Sequence, residues 1–108
     1  MIEVCRYVTR SGKDVIGEWL AGLRDLRAQA KIAVRIDRLS VGNFGDCKPI
    51  RQGLWELRID WTRLSPLLRH AGRTCVLLLC GGDKRKQSAD INRALGYLKD
   101  YKERTGKP

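Results

Sequence analysis

Residues 54–61 read LWELRIDW, and every second side chain from Trp55 onward is large and apolar. A period of two residues is typical of a β-strand that buries one face, because successive side chains of a strand point to opposite sides. The stretch therefore predicts a strand with Glu56 and Arg58 on its polar face. We interpret its apolar set as core: Trp55, Leu57, Ile59 and Trp61.

Three further strands are expected around this one. Residues 47–51 come just before it, and the pair Gln52-Gly53 between them is typical of a two-residue hairpin turn. Residues 74–80 are almost entirely apolar, as in a central strand buried on both faces. Residues 2–8 are rich in residues that favour strands and carry no helix start signal, so they predict a short N-terminal strand.

Residues 62–72 lie where the sheet requires another strand, but their pattern is poor. Pro66 cannot donate a ladder hydrogen bond, and apolar and polar residues do not alternate. We expect a strand here that lies at a sheet edge or is broken by a bulge. We interpret His70, which lies in this segment, as a surface residue.

A first helix is expected after the N-terminal strand. Ser11 followed by Asp14 resembles a capping box, which places the helix start near Gly12. Apolar residues then repeat at helical spacing and include Trp19, which we interpret as core. Gly22 is expected to break this helix.

Two more helices follow in the pattern. The second starts after Gly22 and ends before Gly42-Asn43, a typical C-terminal stop. The third begins near Arg85 and has one apolar stripe: Ile91, Ala94, Leu95, Leu98 and Tyr101.

The predicted order is strand, helix, helix, two strands, an irregular segment, strand and helix. Connections after residue 45 are too short for parallel crossovers, so we expect a mainly antiparallel sheet. The sequence therefore predicts an α+β fold with an N-terminal helical hairpin and a C-terminal helix. Its 108 residues suit one domain, residues 1–105, with a frayed tail at 106–108.

The chain is strongly basic, with 22 Lys and Arg against 12 Asp and Glu and a net charge of +10. Residues 1–47 carry +2 of this charge and residues 48–108 carry +8. This balance favours a polyanionic partner, nucleic acid or an acidic protein, bound through the C-terminal half. The sequence has no apolar run long enough to span a membrane and no signal-peptide pattern. We therefore expect a cytoplasmic protein without a membrane partner.

The cysteines lie in apolar, strand-like segments, at positions 5, 47, 75 and 80. Two disulfides are one interpretation, but this placement favours four reduced side chains. No CxxC pair occurs and His70 is the only histidine, so the usual ligand spacing of structural zinc is missing. We therefore expect no metal site and no cofactor.

Three blocks of sequence occur in one order along nearly the whole chain. They are residues 19–25 running on to 38–46, KPI at 48–50 with GLWELRI at 53–59, and LLLCGGDK at 77–84 with Gln87, Asp90 and Ile91. In this combination the chain resembles the RelE/ParE superfamily of bacterial toxins, and within it the HigB-like addiction-module killer proteins. The resemblance implies a RelE-like toxin that a partner antitoxin neutralises, commonly a helix-turn-helix protein.

The resemblance also implies a target, mRNA in the ribosomal A site, which such toxins cleave without a metal and so inhibit translation. Metal-free cleavage needs a base for the 2′-hydroxyl, cations for the developing phosphorane charge, and an acid for the leaving oxygen. Clustered Lys and Arg suit this work, because neighbouring cations depress the pKa of a lysine. The predicted catalytic residues are Lys48, Arg58 and Lys84. The predicted RNA contacts are Arg51, Glu56, Arg63, Arg85 and Lys86.

Two of the predicted catalytic residues, Lys48 and Arg58, also have a structural interpretation. Lys48 is either a base or phosphate anchor, or an exposed edge lysine that blocks sheet aggregation. Arg58 is either a transition-state contact that Glu56 orients, or half of a solvated cross-strand ion pair. Lys84 follows two glycines at a strand end, where a loop side chain and backbone N–H groups can meet a phosphate.

The chain departs from the family pattern after the Glu-Leu-Arg strand. Members of the family carry a Gly-Pro-Gly-Tyr-Arg-like stretch there, and this chain has TRLSPLLR at 62–69. The resemblance gives no ground for Arg63 or Arg69 to replace the missing Tyr-Arg pair. Two functions therefore stay open. One is a ribosome-dependent endoribonuclease, and the other is an attenuated, non-catalytic or gyrase-poisoning relative that acts only by binding.

Overall fold

The computed structural model describes residues 2–71 and 75–106. Its strands are β1 (Glu3–Arg6), β2 (Cys47–Pro49), β3 (Leu54–Leu57), β4 (Leu67–Ala71) and β5 (Cys75–Cys80). Its helices are α1 (Val15–Ala21), α2 (Leu26–Leu39) and α3 (Gln87–Thr105), and a 3-10 turn at Lys84–Lys86 precedes α3. The predicted α+β class is confirmed. No helix in the described ranges is long and apolar enough to cross a membrane.

The five strands form one mixed sheet in the order β1-β5-β4-β3-β2. β1 pairs with β5 in parallel, and the other three pairings are antiparallel, so the sheet is mainly antiparallel as predicted. β5 lies between β1 and β4, and residues 76–80 are buried. The apolar run thus forms an interior strand. Residue 74 of that predicted strand, residue 72 of the irregular segment, residue 1 and the tail at 107–108 lie outside the described residues.

The irregular segment contains a strand, β4, and of the two forms expected for it, an edge strand or a strand with a bulge, the structure has the second. β4 is the middle strand of the five. Pro66 lies just before the strand, where its missing N–H removes no ladder bond, and its carbonyl accepts a hydrogen bond from the Leu57 amide at 2.9 Å. The register against β5 shifts between Leu67 and Leu68, so the expected irregularity is present.

Helices cover both faces of the sheet. One core cluster joins β3, β4 and β5 to α3, on what we name the α3 face: Leu54, Leu67, Leu77, Leu79, Ile91, Ala94 and Leu98. The other joins the same strands to α1 and α2, on the α1–α2 face: Ile16, Ile32, Ile36, Leu39, Leu57, Leu68, Val76 and Leu78. β3 therefore buries both faces. The predicted polar face is wrong for Leu54 and Glu56, which are both buried.

The first helix begins three residues later than predicted. Asp14, not Ser11, is its N-cap, and the Asp14 carboxylate accepts a hydrogen bond from the Gly17 amide at 3.1 Å. Gly22 ends the helix as expected. The third helix also begins late, at Gln87, because the basic residues before it form the 3-10 turn.

In the hairpin between β2 and β3, Gln52 and Gly53 form the predicted turn, which Leu54 N closes by donating to Arg51 O at 2.9 Å, but the strand register leaves Arg51 as an extra residue on the β2 side. Gln52 has a φ of +51° and Gly53 a φ of +83°, the left-handed pair that matches the twist of such hairpins. A Cβ at Gly53 would also lie 1.6 Å from Nη1 of Arg69, so a side chain there would displace the Arg69 guanidinium.

Two side-chain predictions are wrong. Trp61 is 57% exposed, because β3 ends at Leu57 and the alternation does not continue to residue 61. The Arg27 guanidinium lies 5.3 Å from the centre of the Trp61 ring. His70 is half-buried against Phe44 and Trp55, and its Nε2 is buried with no hydrogen-bond partner among the described residues. The other two tryptophans pack partly buried against the α1–α2 core, as predicted.

Candidate functional site

Lys48 and Glu56 lie directly opposite each other on β2 and β3. Paired residues of antiparallel strands project to the same face of a sheet, which here is the α3 face. Glu56 is buried, and its Oε2 accepts a hydrogen bond of 2.8 Å from Nε2 of Gln87. Lys48 is exposed on the edge strand. The exposed residue Lys48 is therefore the cross-strand neighbour of Glu56, whose buried carboxylate contacts Gln87, the first residue of α3.

A small pocket opens next to Glu56 at the carboxyl end of β5. It is lined by Glu56, Ser65, Leu67, Gly82, Asp83, Lys84, Gln87 and Asp90. Ser65 is 2% exposed, and its Oγ has no hydrogen-bond partner in the described part of the chain. The pocket brings Glu56 and Lys84 together, although 27 residues separate them along the chain.

The two glycines before Lys84 are required by close packing. A Cβ at Gly81 would lie 1.9 Å from the indole ring of Trp19, and a Cβ at Gly82 would lie 2.8 Å from the carbonyl oxygen of Ser65. Both separations are far shorter than carbon atoms tolerate. The glycines thus let the turn after β5 lie directly against α1 and the loop before β4.

The backbone amides after the glycines are already hydrogen-bonded inside the protein. Asp83 N donates to Asp90 Oδ2 at 2.8 Å, and Lys84 N donates to Arg63 O at 2.8 Å. Arg85 N donates to Asp83 Oδ1 at 2.9 Å. A phosphate would have to displace these acceptors, so the geometry does not favour the expected backbone contact. The same bonds fix the backbone that carries the exposed side chain of Lys84.

Arg58 follows the last residue of β3, and its guanidinium faces Asp46. The distance from Arg58 Nε to Asp46 Oδ2 is 3.5 Å, and Arg58 N donates to Asp46 O at 2.8 Å. The expected orientation of Arg58 by Glu56 is wrong, and the alternative of a cross-strand ion pair is the one observed. The Arg58 side chain remains 33% exposed.

A buried arginine on α2 supports this end of the hairpin. Arg35 donates to Arg58 O at 2.6 Å through Nη1, and through Nη2 to Phe44 O at 2.9 Å and Asp46 O at 3.2 Å. Gly45 has a φ of +60°, and a Cβ there would lie 2.9 Å from Arg35 Nη2. Sequence reasoning missed Arg35, although its spacing from Ile32 and Leu39 places it on the buried stripe of α2.

Asp83 and Arg85 neutralise each other. Arg85 Nη2 lies 2.7 Å from Asp83 Oδ2, and Arg85 Nε donates to Asp83 Oδ1 at 3.1 Å. These hydrogen bonds lower the pKa of the Asp83 carboxyl to about 2 and raise the pKa of Arg85. Arg85 is therefore an engaged cation, although 69% of its side chain is exposed.

Arg51 lies at the far end of the hairpin, where its Nη2 donates to Asn92 Oδ1 on α3 at 3.1 Å. The remaining predicted cations are exposed and form no ion pair with any residue in the described ranges: Lys48, Arg63, Lys84 and Lys86. Each of these four residues is connected to a pocket residue by strand register, by a backbone hydrogen bond or by the 3-10 turn. Lys48 pairs in register with Glu56, the Arg63 carbonyl holds Lys84, and Lys86 ends the same 3-10 turn.

Four polar residues of the pocket were given no role by the sequence analysis: Ser65, Asp83, Gln87 and Asp90. Ser65 lies in the irregular segment, and nothing in its surroundings along the chain marks it as buried. Gln87 and Asp90 belong to the resemblance but were not placed in the site. Asp90 is buried and also accepts from Arg93 Nη2 at 3.2 Å, so it connects the turn to α3. The block of sequence that carries the resemblance is the signal that could have pointed to Asp90.

The chain is 49% identical over 77 residues to a protein of Haemophilus influenzae described as an uncharacterized protein. The match covers 70% of this chain and 78% of the relative. The chain belongs to the same family as this relative. No protein-family model matches the chain. The relative's description names no activity, so the function must be argued from the site.

Proposed function

We propose that the chain is the toxin of a type II toxin–antitoxin pair, with a RelE-like fold, and that it cleaves mRNA on the ribosome without a metal. The α+β class, the mainly antiparallel sheet and the C-terminal helix support this proposal. We further propose that α1 and α2, joined by residues 22–25, act as the N-terminal helical hairpin of that fold. Such a toxin works in the cytoplasm, where an antitoxin, commonly a helix-turn-helix protein, binds it.

The arrangement of charge around Glu56 is the observation that carries the proposal. Lys48 faces Glu56 across the hairpin and Lys84 lines the adjoining pocket, and neither forms an ion pair with a described residue. Arg63 and Lys86 extend this exposed basic surface. Cations without an internal partner attract the RNA backbone, and each phosphate they contact releases counterions.

In the proposed reaction the 2′-hydroxyl oxygen of one nucleotide attacks the adjacent phosphorus. The bond between that phosphorus and the 5′-oxygen of the next nucleotide breaks. The 2′-hydroxyl proton passes to a base and the 5′-oxygen takes a proton from an acid, which leaves a 2′,3′-cyclic phosphate and a 5′-hydroxyl. We assign proton transfer to Lys84, which lies at the pocket, and stabilisation of the phosphate charge to Lys48 and the exposed part of Arg58.

A second candidate function is binding without cleavage. Two of the predicted cations, Arg58 and Arg85, already pair with Asp46 and Asp83. The pairing reduces the positive charge that a transition state would meet. The segment that departs from the family pattern also supplies Ser65 to the pocket instead of an aromatic residue. These features favour an attenuated or gyrase-poisoning relative over an efficient nuclease.

Induction of the protein in bacteria, with and without the product of the neighbouring gene, tests the proposal. We expect growth arrest together with new mRNA 5′ ends in phase with codons, and rescue by the neighbouring product. Lys84→Ala should reduce cleavage about 100-fold or more, since it removes a proton-transfer group. Lys31→Ala is the matched control, because Lys31 is exposed on α2 and lies on the opposite side of the sheet.

The remaining outcomes separate the candidates. Growth arrest without new RNA ends would support the binding function and reject cleavage. Loss of cleavage in Lys31→Ala as large as in Lys84→Ala would reject the assigned site. A protein that causes neither arrest nor cleavage would contradict the toxin proposal.

A further inference from the structure

Three potential metal ligands meet where β1 and β5 run in parallel. Glu3 pairs in register with Cys75, and Cys5 lies two residues further along β1 on the same face. All four cysteines of the chain are free thiols, in agreement with the reduced state favoured by the sequence. Glu3 is exposed, while Cys5 and Cys75 are half-buried. A carboxylate and two thiols thus project together from two neighbouring strands.

The distances between their donor atoms fit a single small cation. Cys5 Sγ lies 3.5 Å from Glu3 Oε1, Cys75 Sγ lies 4.0 Å from the same oxygen, and all three donor atoms lie within 4.8 Å of one another. A tetrahedral zinc ion needs sulfur–oxygen separations of about 3.5 Å and sulfur–sulfur separations of about 3.8 Å. Cys75 Sγ must move towards Glu3 Oε1 by about 0.5 Å, and the two sulfur atoms towards each other by at most about 1 Å, which side-chain rotation can supply.

We propose that Glu3, Cys5 and Cys75 bind one Zn²⁺ ion, with the fourth coordination position open to water or an external ligand. Two thiolates and a carboxylate are ligands that zinc accepts in proteins, and thiolates select it over magnesium or calcium. The zinc ion replaces the protons of the two thiols, and these protons are released to solvent. The oxidation state of the sulfur atoms and of the metal does not change. The ion would cross-link the edge strand β1 to β5 and stabilise their pairing.

This site is separate from the proposed RNA site. Cys75 begins β5 and Lys84 follows its other end, and buried Leu77 and Leu79 lie between them. The zinc proposal therefore does not depend on the toxin proposal. It does contradict the sequence-based expectation of no metal. That expectation relied on ligand spacing along the chain, whereas parallel strand pairing joins residues 70 positions apart.

The proximity of Cys5 and Cys75 also allows a different chemistry, a reversible disulfide. Glu3 favours the metal, because its carboxylate lies within reach of both sulfur atoms and has no part in a disulfide. The two possibilities differ in a measurable way. A zinc site needs the reduced chain and all three ligands, whereas a disulfide forms only on oxidation and is indifferent to Glu3.

The test is a Co²⁺ titration of the reduced full chain, followed by displacement with Zn²⁺. Cobalt in a tetrahedral thiolate site gives visible d–d bands and a sulfur-to-metal charge-transfer band. We expect one equivalent of Co²⁺ to produce both, and one equivalent of Zn²⁺ to abolish them. A competing chromophoric chelator then gives the zinc affinity, and circular dichroism checks that each variant is folded.

Four variants define the ligands. Cys5→Ser, Cys75→Ser and Glu3→Gln should each weaken zinc binding by at least about tenfold. Cys47→Ser is the matched control, a half-buried cysteine on β2 that should bind zinc as the parent does. Glu3→Gln changes an exposed side chain, so it remains informative if a cysteine variant fails to fold.

Three results would overturn the proposal. One is the absence of cobalt bands in the reduced chain, and another is a loss in Cys47→Ser equal to that in Cys5→Ser. The third is unchanged zinc affinity in Glu3→Gln together with a mass loss of two hydrogens on mild oxidation. That last combination would assign Cys5 and Cys75 to a redox pair instead.

Discussion

The two ends of strand β5 carry different chemistry on the same face of the sheet. At the carboxyl end, the Gly81-Gly82 turn leads to Lys84, which lines a small pocket together with Glu56 and other polar residues. At the amino end, Cys75 lies with Glu3 and Cys5 in a cluster of one carboxylate and two thiols. Exposed cations suit a phosphate diester, whereas two thiols suit a soft metal ion.

The two ends also differ in how they are held together. The carboxyl end depends on long-range support, because Arg35, Asp90 and the loop before β4 fix the segments around it. The amino end is joined by strand pairing, since Glu3 and Cys75 are register partners. Substitutions at the supporting residues should therefore impair the carboxyl end and leave metal binding at the amino end intact.

Arg35→Met should have the largest effect. It leaves the carbonyl oxygens of residues 44, 46 and 58 without their charged donor, which should lower the free energy of unfolding by about 3 kcal/mol. Urea unfolding measures this, and RNA binding should fall in the fraction that stays folded. Arg38→Met is the control, because Arg38 is exposed on the same helix and should cost less than about 1 kcal/mol. Equal losses in the two variants would contradict the supporting role of Arg35.

Gly81→Val should have the next largest effect. The added Cβ would overlap the ring of Trp19, and such overpacking lowers stability by about 2 kcal/mol. The turn that carries Lys84 would also be displaced, while zinc binding by Glu3 and the cysteines should persist. Gly96→Ala is the opposite control, because a Cβ there meets nothing within 4 Å and should stabilise α3 by about 0.5 to 1 kcal/mol. A neutral Gly81→Val would show that the close contact with Trp19 is not restrictive.

Asp83→Asn should have a smaller effect that depends on pH. The folded pKa of Asp83 is about 2, below its ordinary value of 3.8. The charged pair with Arg85 therefore stabilises the fold above about pH 4, and this stability is lost as the pH falls towards 2. The gap in Tm between the parent and Asp83→Asn should be largest above about pH 5 and should close on acidification. In an Arg85→Gln background the gap should lose most of this pH dependence, and a gap that stays constant in the parent would refute the pair.

Much of the fold could be predicted because the periodicity of apolar residues reports which face of an element is buried. The two-residue turn at Gln52-Gly53 and the buried run that ends at Cys80 are local patterns, and both predictions are confirmed. The position of β4 could not be predicted, because strand order is set by tertiary pairing. The prediction that Trp61 belongs to the core was wrong for a related reason. The end of β3 depends on Arg35, which binds the carbonyl of Arg58 from another element.

The site was predictable only in part. Lys48 and Glu56 are cross-strand partners because the register leaves three residues, 51–53, in the connection, whereas a strict two-residue turn at 52–53 would pair Lys48 with Leu57. The pairing of Arg58 with Asp46 follows from the same register, but the choice between Asp46 and Glu56 needs side-chain positions. Ser65 enters the pocket through the antiparallel contact between residues 64 and 83, and no local pattern encodes that contact.

The most direct test of the contrast between the two ends is the salt dependence of binding to a single-stranded RNA with 2′-O-methyl groups, which prevents cleavage. The double variant Lys48→Ala/Lys84→Ala should lower the slope of log affinity against log salt concentration by about 1.4, which is about 0.7 for each lost phosphate contact. Glu3→Gln, at the amino end, should keep the parent slope. A double variant with the parent slope would contradict the assignment of the carboxyl end of β5 as the site that binds RNA phosphates.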